Sequence, residues 1–225
     1  LSAKDEDKYL LLEMGMSALG EIDLLASIAK PDYSIITNIG QSHLEYLKTE
    51  ENVFKAKSEI IKHTKKIGFG NGDDKYLFTL KGENIFKVIK EYTKTNLFGE
   101  HNQVNISIVK SLLEKIGYKD LNFGNIRLTS GRYQEIEGKY RYINDAYNAS
   151  PLSMSASILT FSEMYNEDYK IIVLGDMLEL GDNEIKFHED ISYDLDKAKY
   201  DRLYLYGPRM KYLYKKLKNL EYVLA

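Results

Sequence analysis

The sequence predicts an α/β fold with mostly parallel sheets, and three observations carry that expectation. Short β-rich runs alternate with segments of helical spacing, the runs are apolar enough to be buried, and polar residues gather where the runs end. Residues 9–14 open the series as a buried strand, followed by helical spacing over 21–30 and a second strand over 33–39. Helical spacing returns over 49–63 and 102–116, and Gly117 suits a C-terminal cap of the latter because glycine tolerates a left-handed backbone. A break at 122–125 follows, and the pattern restarts at Ile126 with a strand-like segment. A domain boundary is therefore expected there, dividing 1–123 from 124–225. Beyond it, 141–144 reads as a strand, 151–165 as a helix, and 170–174 and 202–206 as further buried strands. No internal repeat or low-complexity tract interrupts this order.

Composition narrows the function classes. At 225 residues and 44% apolar, the chain can bury one large core or two modest ones. Acids and bases nearly cancel to a formal net charge of -3, so no single-sign field points to nucleic acid or an anionic membrane. The chain has no cysteine, which excludes disulfides, thiolate zinc sites and a cysteine nucleophile and fits a reducing compartment. No apolar run is long enough to span a bilayer and no signal-peptide pattern is present, so a cytoplasmic monomer that does not insert into membranes is expected.

In an open parallel sheet, ligands gather beyond the carboxyl ends of strands. Here those ends read Glu13-Met14-Gly15, then Thr37 through His43, then Asn144-Asp145-Ala146-Tyr147-Asn148, then Gly175-Asp176-Met177. Any one of these loops is most simply a turn, since Asp, Asn and Gly form turns readily. Four together point to a site. The helix beginning near Thr49 carries a sharper anomaly: Val53, Ala56, Ile60 and Ile61 share one face, and Lys57 falls within it. Spacing leaves two readings open, a lysine snorkelling to the stripe's edge or a desolvated amine of lowered pKa.

Taken together, these segments resemble the Mur ligases. The resembling stretches are Leu12-Glu13-Met14-Gly15 with Gly20-Glu21-Ile22; Ile36-Thr37-Asn38-Ile39-Gly40 with His43-Leu44-Glu45; and Ala56-Lys57-Ser58-Glu59-Ile60. They continue with Gly99-Glu100-His101-Asn102 and Asn105, Gly131-Arg132, Asp145 through Pro151, and Leu174 through Gly181 with His188. The last two blocks are the specific ones, and they are similar to the family member that joins D-alanyl-D-alanine to UDP-MurNAc-tripeptide.

The resemblance implies the distal part of a P-loop-type central ATPase domain, followed by part of a Rossmann-like C-terminal domain. It implies ATP and Mg²⁺, an acyl-phosphate intermediate, and an amine that displaces phosphate. Position by position, Glu13 matches a magnesium ligand, His43 a residue at a second metal, and Lys57 a lysine carried as a carbamate in the metal and phosphate site. Asn102 and Asn105 match the motif near the adenine, Arg132 an arginine that reaches the nucleotide, and Asp145 the ribose-binding aspartate. Tyr147 and Asn148 would face the γ-phosphate and the amine substrate. His101 is as suited to capping or packing as to ligand contact, and His188 and the lone His63 are expected to be structural.

No G-x-x-x-x-G-K-S/T phosphate loop occurs in these residues. The expectation is thus a partial ligase without catalysis of its own. The alternatives are a sister Mur or folylpolyglutamate-type ligase, against which the Asp145–Pro151 block argues, and a degenerate non-catalytic binding module that keeps the fold.

Overall fold

The computed structural model describes residues 4–165, 168–217 and 222–224. Helix α1 spans Glu21–Ala29 and has no side-chain cap of its own at Gly20. Glu59, from a later helix, supplies one by accepting from Gly20 N at 2.8 Å and Asp23 N at 3.0 Å. Strand β1 (Tyr33–Ile36), the short helix α2 (Leu44–Leu47) and helix α3 (Glu50–His63) follow, and the Thr49 side chain caps α3 by accepting from Asn52 N. Strands β2 (Ile67–Asn71) and β3 (Ile85–Val88) complete a three-stranded parallel sheet in the order β1-β2-β3.

Helix α4 (Glu100–Lys115) ends as its sequence implies. Gly117 takes φ +95°, Gly117 N donates to Glu114 O, and Tyr118 N to Leu113 O, closing the last turn. Strands β4 (Gln134–Ile136) and β5 (Tyr142–Asn144) then form an antiparallel pair. Helix α5 (Pro151–Glu163) starts with a Ser150/Ser153 capping box and Pro151 in its first turn. Strand β6 (Ile171–Gly175), helices α6 (Glu184–Asp190) and α7 (Ser192–Leu195), strand β7 (Arg202–Tyr206), helix α8 (Met210–Lys216) and strand β8 (Tyr222–Leu224) finish the described chain. The second parallel sheet has the order β6-β7-β8.

Three cores result. One face of the first sheet packs on Ile22, Val53, Ala56 and Leu77, and the other on Ile108 of α4 through Phe69 and Val88. The second sheet has one core, in which Met154, Ile158, Leu174, Leu203, Leu205 and Met210 meet. Phe187 of α6 packs against both this core and the Ile22–Val53 core, tying the two halves together.

The fold is α/β with parallel sheets, as expected, but several elements differ. Residues 9–14 are not a strand: no described strand pairs with them, and Tyr9, Leu10, Leu11 and Leu12 are exposed. Tyr9-Leu10-Leu11-Leu12-Glu13-Met14 is apolar but holds no β-branched side chain, and a strand also needs a neighbour for its N–H and C=O groups. The segment restarting at Ile126 is likewise irregular, stitched to Asn96 by Asn96 Nδ2 to Ile126 O and Ile126 N to Asn96 Oδ1, both 2.8 Å. The strand expected over 141–144 forms in an exposed antiparallel hairpin instead of a buried parallel sheet.

Candidate functional site

Lys57 lies on α3 beside Val53 and Ala56, both wholly buried, and is itself half-buried. Its Nζ donates to the Asn38 carbonyl at 2.9 Å. Burial pulls the amine below the ordinary lysine range, and the negative charge of Asp74 opposes that pull. Asp74 Oδ2 accepts from Ile39 N at 2.8 Å, while Oδ1 accepts from Tyr76 N and Leu77 N. Next to Lys57, the buried Ser58 hydroxyl has no hydrogen-bond partner. Of the two readings that spacing left open, the structure therefore favours a desolvated amine.

His43 precedes α2 with φ +57°, a left-handed conformation uncommon for a side-chain-bearing residue. Its Nδ1 lies 2.7 Å from Glu179 Oε2, and Glu45 N donates to the Glu179 carbonyl at 2.9 Å. The second half of the chain thus grips the α2 turn of the first.

Arg132 and Asp145 sit on the β4–β5 hairpin and its flanks. The Arg132 guanidinium lies over the Tyr147 ring, 4.5 Å from its centre, and reaches 4.0 Å from the Glu13 carboxylate, which is almost fully exposed. Asp145 accepts from Tyr133 N at 2.9 Å, and Tyr147 N donates to the Gly131 carbonyl at 3.0 Å. Burial, reinforced by the Asp145 charge, pushes the Tyr133 hydroxyl well above the ordinary tyrosine range. Desolvation lowers His101, and Asp145 opposes it, so α4 and the hairpin share an electrostatic environment.

Asn102 is buried in the first turn of α4 and donates to Phe98 O at 2.7 Å, whereas Asn105 is exposed. A cavity of about 320 Å³ opens beside Phe98, walled also by Leu128, Tyr133, Ile143 and Met164. Asn148 is exposed, and its side chain accepts from Ala149 N at 2.9 Å, a turn-forming contact.

The residues expected to hold metal do not compose a metal set as unmodified side chains. Among the described residues, no group of three or more His, Cys, Asp or Glu converges on one point. Glu13 faces Arg132, His43 is held by Glu179, and the Lys57 amine donates a hydrogen bond. Two histidines are structural, as expected. His188, fully buried, accepts from Met177 N at its Nε2 and bonds Glu184 O through Nδ1, which fixes the proton on Nδ1. His63 pairs with Asp23 of α1 at 2.8 Å.

Asp176 also proves structural, accepting from Arg209 N and Met210 N at the start of α8. The sequence reading missed Asp74 and Glu179. Asp74 stands in a Gly72-Asp73-Asp74 run that reads as an ordinary turn, and Glu179 faces His43 only because the two halves dock.

Residues 1–111 match the family model described as the Mur ligase middle domain, and 131–224 match that described as the Mur ligase, glutamate ligase domain. The UDP-N-acetylmuramoyl-tripeptide–D-alanyl-D-alanine ligase of Bacillus subtilis is 35% identical over an alignment 248 positions long, covering 92% of this chain and 53% of that protein. Among solved structures, MurF from Acinetobacter baumannii superposes with a TM-score of 0.88 at 23% identity, covering 98% of this chain and 56% of that one. The MurF ligase from Thermotoga maritima in complex with ADP gives 0.77 at 24% identity, covering 92% of this chain and 56% of that one. The chain thus spans about half the length of the relatives it matches.

Proposed function

Because the chain belongs to the Mur ligase family, we propose that it forms the nucleotide-closing part of an ATP-dependent ligase that joins D-alanyl-D-alanine to UDP-MurNAc-tripeptide. ATP would phosphorylate the tripeptide carboxylate, giving ADP and an acyl phosphate. The D-alanyl-D-alanine amine would then attack the acyl carbon, expel phosphate and form the amide. The observation that supports this reading best is the approach of Arg132 to Glu13 and the pairing of Glu179 with His43, which join the two halves at the site.

Asp145 would hold the ribose hydroxyls, and Arg132 would bring its planar fork to anionic oxygens. Asn102 and Asn105 would lie near the adenine on α4, the helix that starts just beyond Phe98 of the cavity, whose walls mix apolar Leu128, Ile143 and Met164 with polar Asn96, Arg127, Gln134 and Glu135. Tyr147 and Asn148 are exposed in the loop between β5 and α5, Tyr147 under the Arg132 guanidinium, and from there would face the γ-phosphate and the amine. In the same reading the domain boundary falls at 123/124, and a cytoplasmic monomer acts on soluble substrates without nucleic acid or membrane.

Mg²⁺ belongs to this reading as the countercharge of triphosphate and acyl phosphate. Glu13, His43 and Lys57 do not form a metal set while Lys57 is an amine, so no step is routed through the ion. The depressed Lys57 amine favours the neutral form that adds CO₂, giving a carbamate and releasing a proton; two anionic oxygens would then stand where the ammonium was.

The test is turnover of the whole enzyme. Phosphate release should require UDP-MurNAc-tripeptide, D-alanyl-D-alanine and Mg²⁺ together, and Lys57→Ala should lower it by at least about a hundredfold. Added short carboxylic acids should restore part of the activity of Lys57→Ala but none of Lys57→Arg, whose guanidinium keeps the positive charge. Equal turnover with D-glutamate in place of D-alanyl-D-alanine would move the chain to a sister ligase. Near-normal turnover of Lys57→Arg would remove the carbamate.

A further inference from the structure

The peptide unit that joins Asn38 to Ile39 is held at both ends. Its carbonyl accepts from Lys57 Nζ at 2.9 Å, and its N–H donates to Asp74 Oδ2 at 2.8 Å. Three elements therefore converge on one peptide: α3 carries Lys57, the loop after β1 carries the peptide, and the loop after β2 carries Asp74. The anchor is stiff, because Asp74 Oδ1 is fixed separately by Tyr76 N at 2.9 Å and Leu77 N at 3.0 Å, and Leu77 is wholly buried. A carboxylate on the N–H side polarises the amide and makes its carbonyl oxygen a stronger acceptor.

We propose that Asp74 is a positioning residue for Lys57, acting through the Asn38–Ile39 peptide that both of them hold. The inference rests on the reading of Lys57 as a site residue. Rotation of that peptide would take the carbonyl away from Nζ and leave the amine without its acceptor in a half-buried setting, where an unmade hydrogen bond is costly. Asp74 prevents the rotation by holding the opposite end. The aspartate chemistry is specific: both oxygens accept, so neither an amide nor a hydroxyl can replace the carboxylate at both places.

That specificity supplies the experiment, done on the 225-residue chain itself. In D74N a single acceptor oxygen remains, and it can serve either Ile39 N or the Tyr76 and Leu77 pair, while the amide nitrogen repels the other. Amide hydrogen exchange of Ile39, Tyr76 and Leu77 shows which side is kept. In parallel, an amine-acylating reagent at one fixed pH labels Lys57 against the exposed Lys55 on the same helix, read by mass spectrometry.

If D74N releases Ile39, its amide should exchange about tenfold faster and Lys57 should label about tenfold faster relative to Lys55. If D74N keeps Ile39 and releases Tyr76 and Leu77, Lys57 should label faster only by what loss of the Asp74 charge brings, well short of the rise in D74A, which loses the same charge and the Ile39 anchor together. D74A, which holds neither side, should release Ile39 and Lys57 together.

The proposal is overturned if Ile39 is released while α3 stays protected and Lys57 labelling does not change. It is equally overturned if Lys57 labels as fast in a D74N that still protects Ile39 as in D74A, for then the charge of Asp74 acts directly and the peptide plays no part. Failure of the proposed function is a separate result: labelling would still follow the Ile39 amide, while turnover of the whole enzyme would be insensitive to Lys57.

Discussion

The two parallel sheets have the same number of strands and opposite relations between composition and burial. Strand β2, Ile67-Gly68-Phe69-Gly70-Asn71, is poor in apolar side chains yet buried along nearly its whole length. Strand β6, Ile171-Ile172-Val173-Leu174-Gly175, is almost wholly apolar, yet Ile171 is 47% and Val173 67% exposed. The difference lies in what packs on each. A Cβ placed on Gly68 would stand 2.5 Å from Ile61 Cδ1, so the glycine lets α3 come close and its neighbours supply the apolar surface. In the second sheet, the helices cover one face, and Ile171, Val173 and Tyr206 lie on the other. Apolar composition shows what a strand can bury, and burial depends on what arrives to cover it.

Three substitutions break or sharpen this contrast. Phe69→Ala should have the largest effect, about 3–5 kcal/mol, because a fully buried ring between β3 and α4 leaves a cavity that the sheet cannot close. Urea unfolding checks it, and a loss under about 1 kcal/mol would mean that the strand is not the centre of the first region. Gly68→Ala comes next, at about 1–3 kcal/mol, since Ile61 must move to admit a methyl group. A neutral result would show that the approach of α3 to β2 is looser than these contacts imply. Val173→Thr should change the unfolding free energy by no more than about 0.5 kcal/mol in this chain, as is usual for exposed positions. A cost above about 1 kcal/mol would show that the face is covered, and the contrast between the sheets would disappear.

The same contrast explains what the sequence reveals. The end of α4 was legible because its signal, Gly117, is local, and the caps that the structure shows before α3 and α5, Thr49 and Ser150, likewise act within one turn. Strand β2 was not, because its glycines carry no pattern and the burial they permit is created by residues elsewhere, and β3, only Ile85-Phe86-Lys87-Val88, is too short to show one. Residues 9–14 failed in the opposite sense, an apolar run that pairs with no strand among the described residues. In the candidate site, Lys57 stood out because a charge in an apolar helical stripe breaks a periodic pattern. Asp74 did not, because its contacts with Ile39 N and, through the peptide, with Lys57 depend on two loops folding together. Likewise Glu59, which sits beside Lys57 in the same motif, serves α1 as a cap, a role that only the packing of α3 on α1 reveals.

Phe187 occupies both the second core and the edge of the first. On the ribosome, domains fold as units with the earlier one first. The first sheet and its helices are therefore free to collapse before residue 187 has been made, but with the places that Glu179 and Phe187 later fill still open to water. The nascent first half stays sticky at the second of these until α6 emerges and inserts the ring, so completion of the earlier unit waits on translation of the later one.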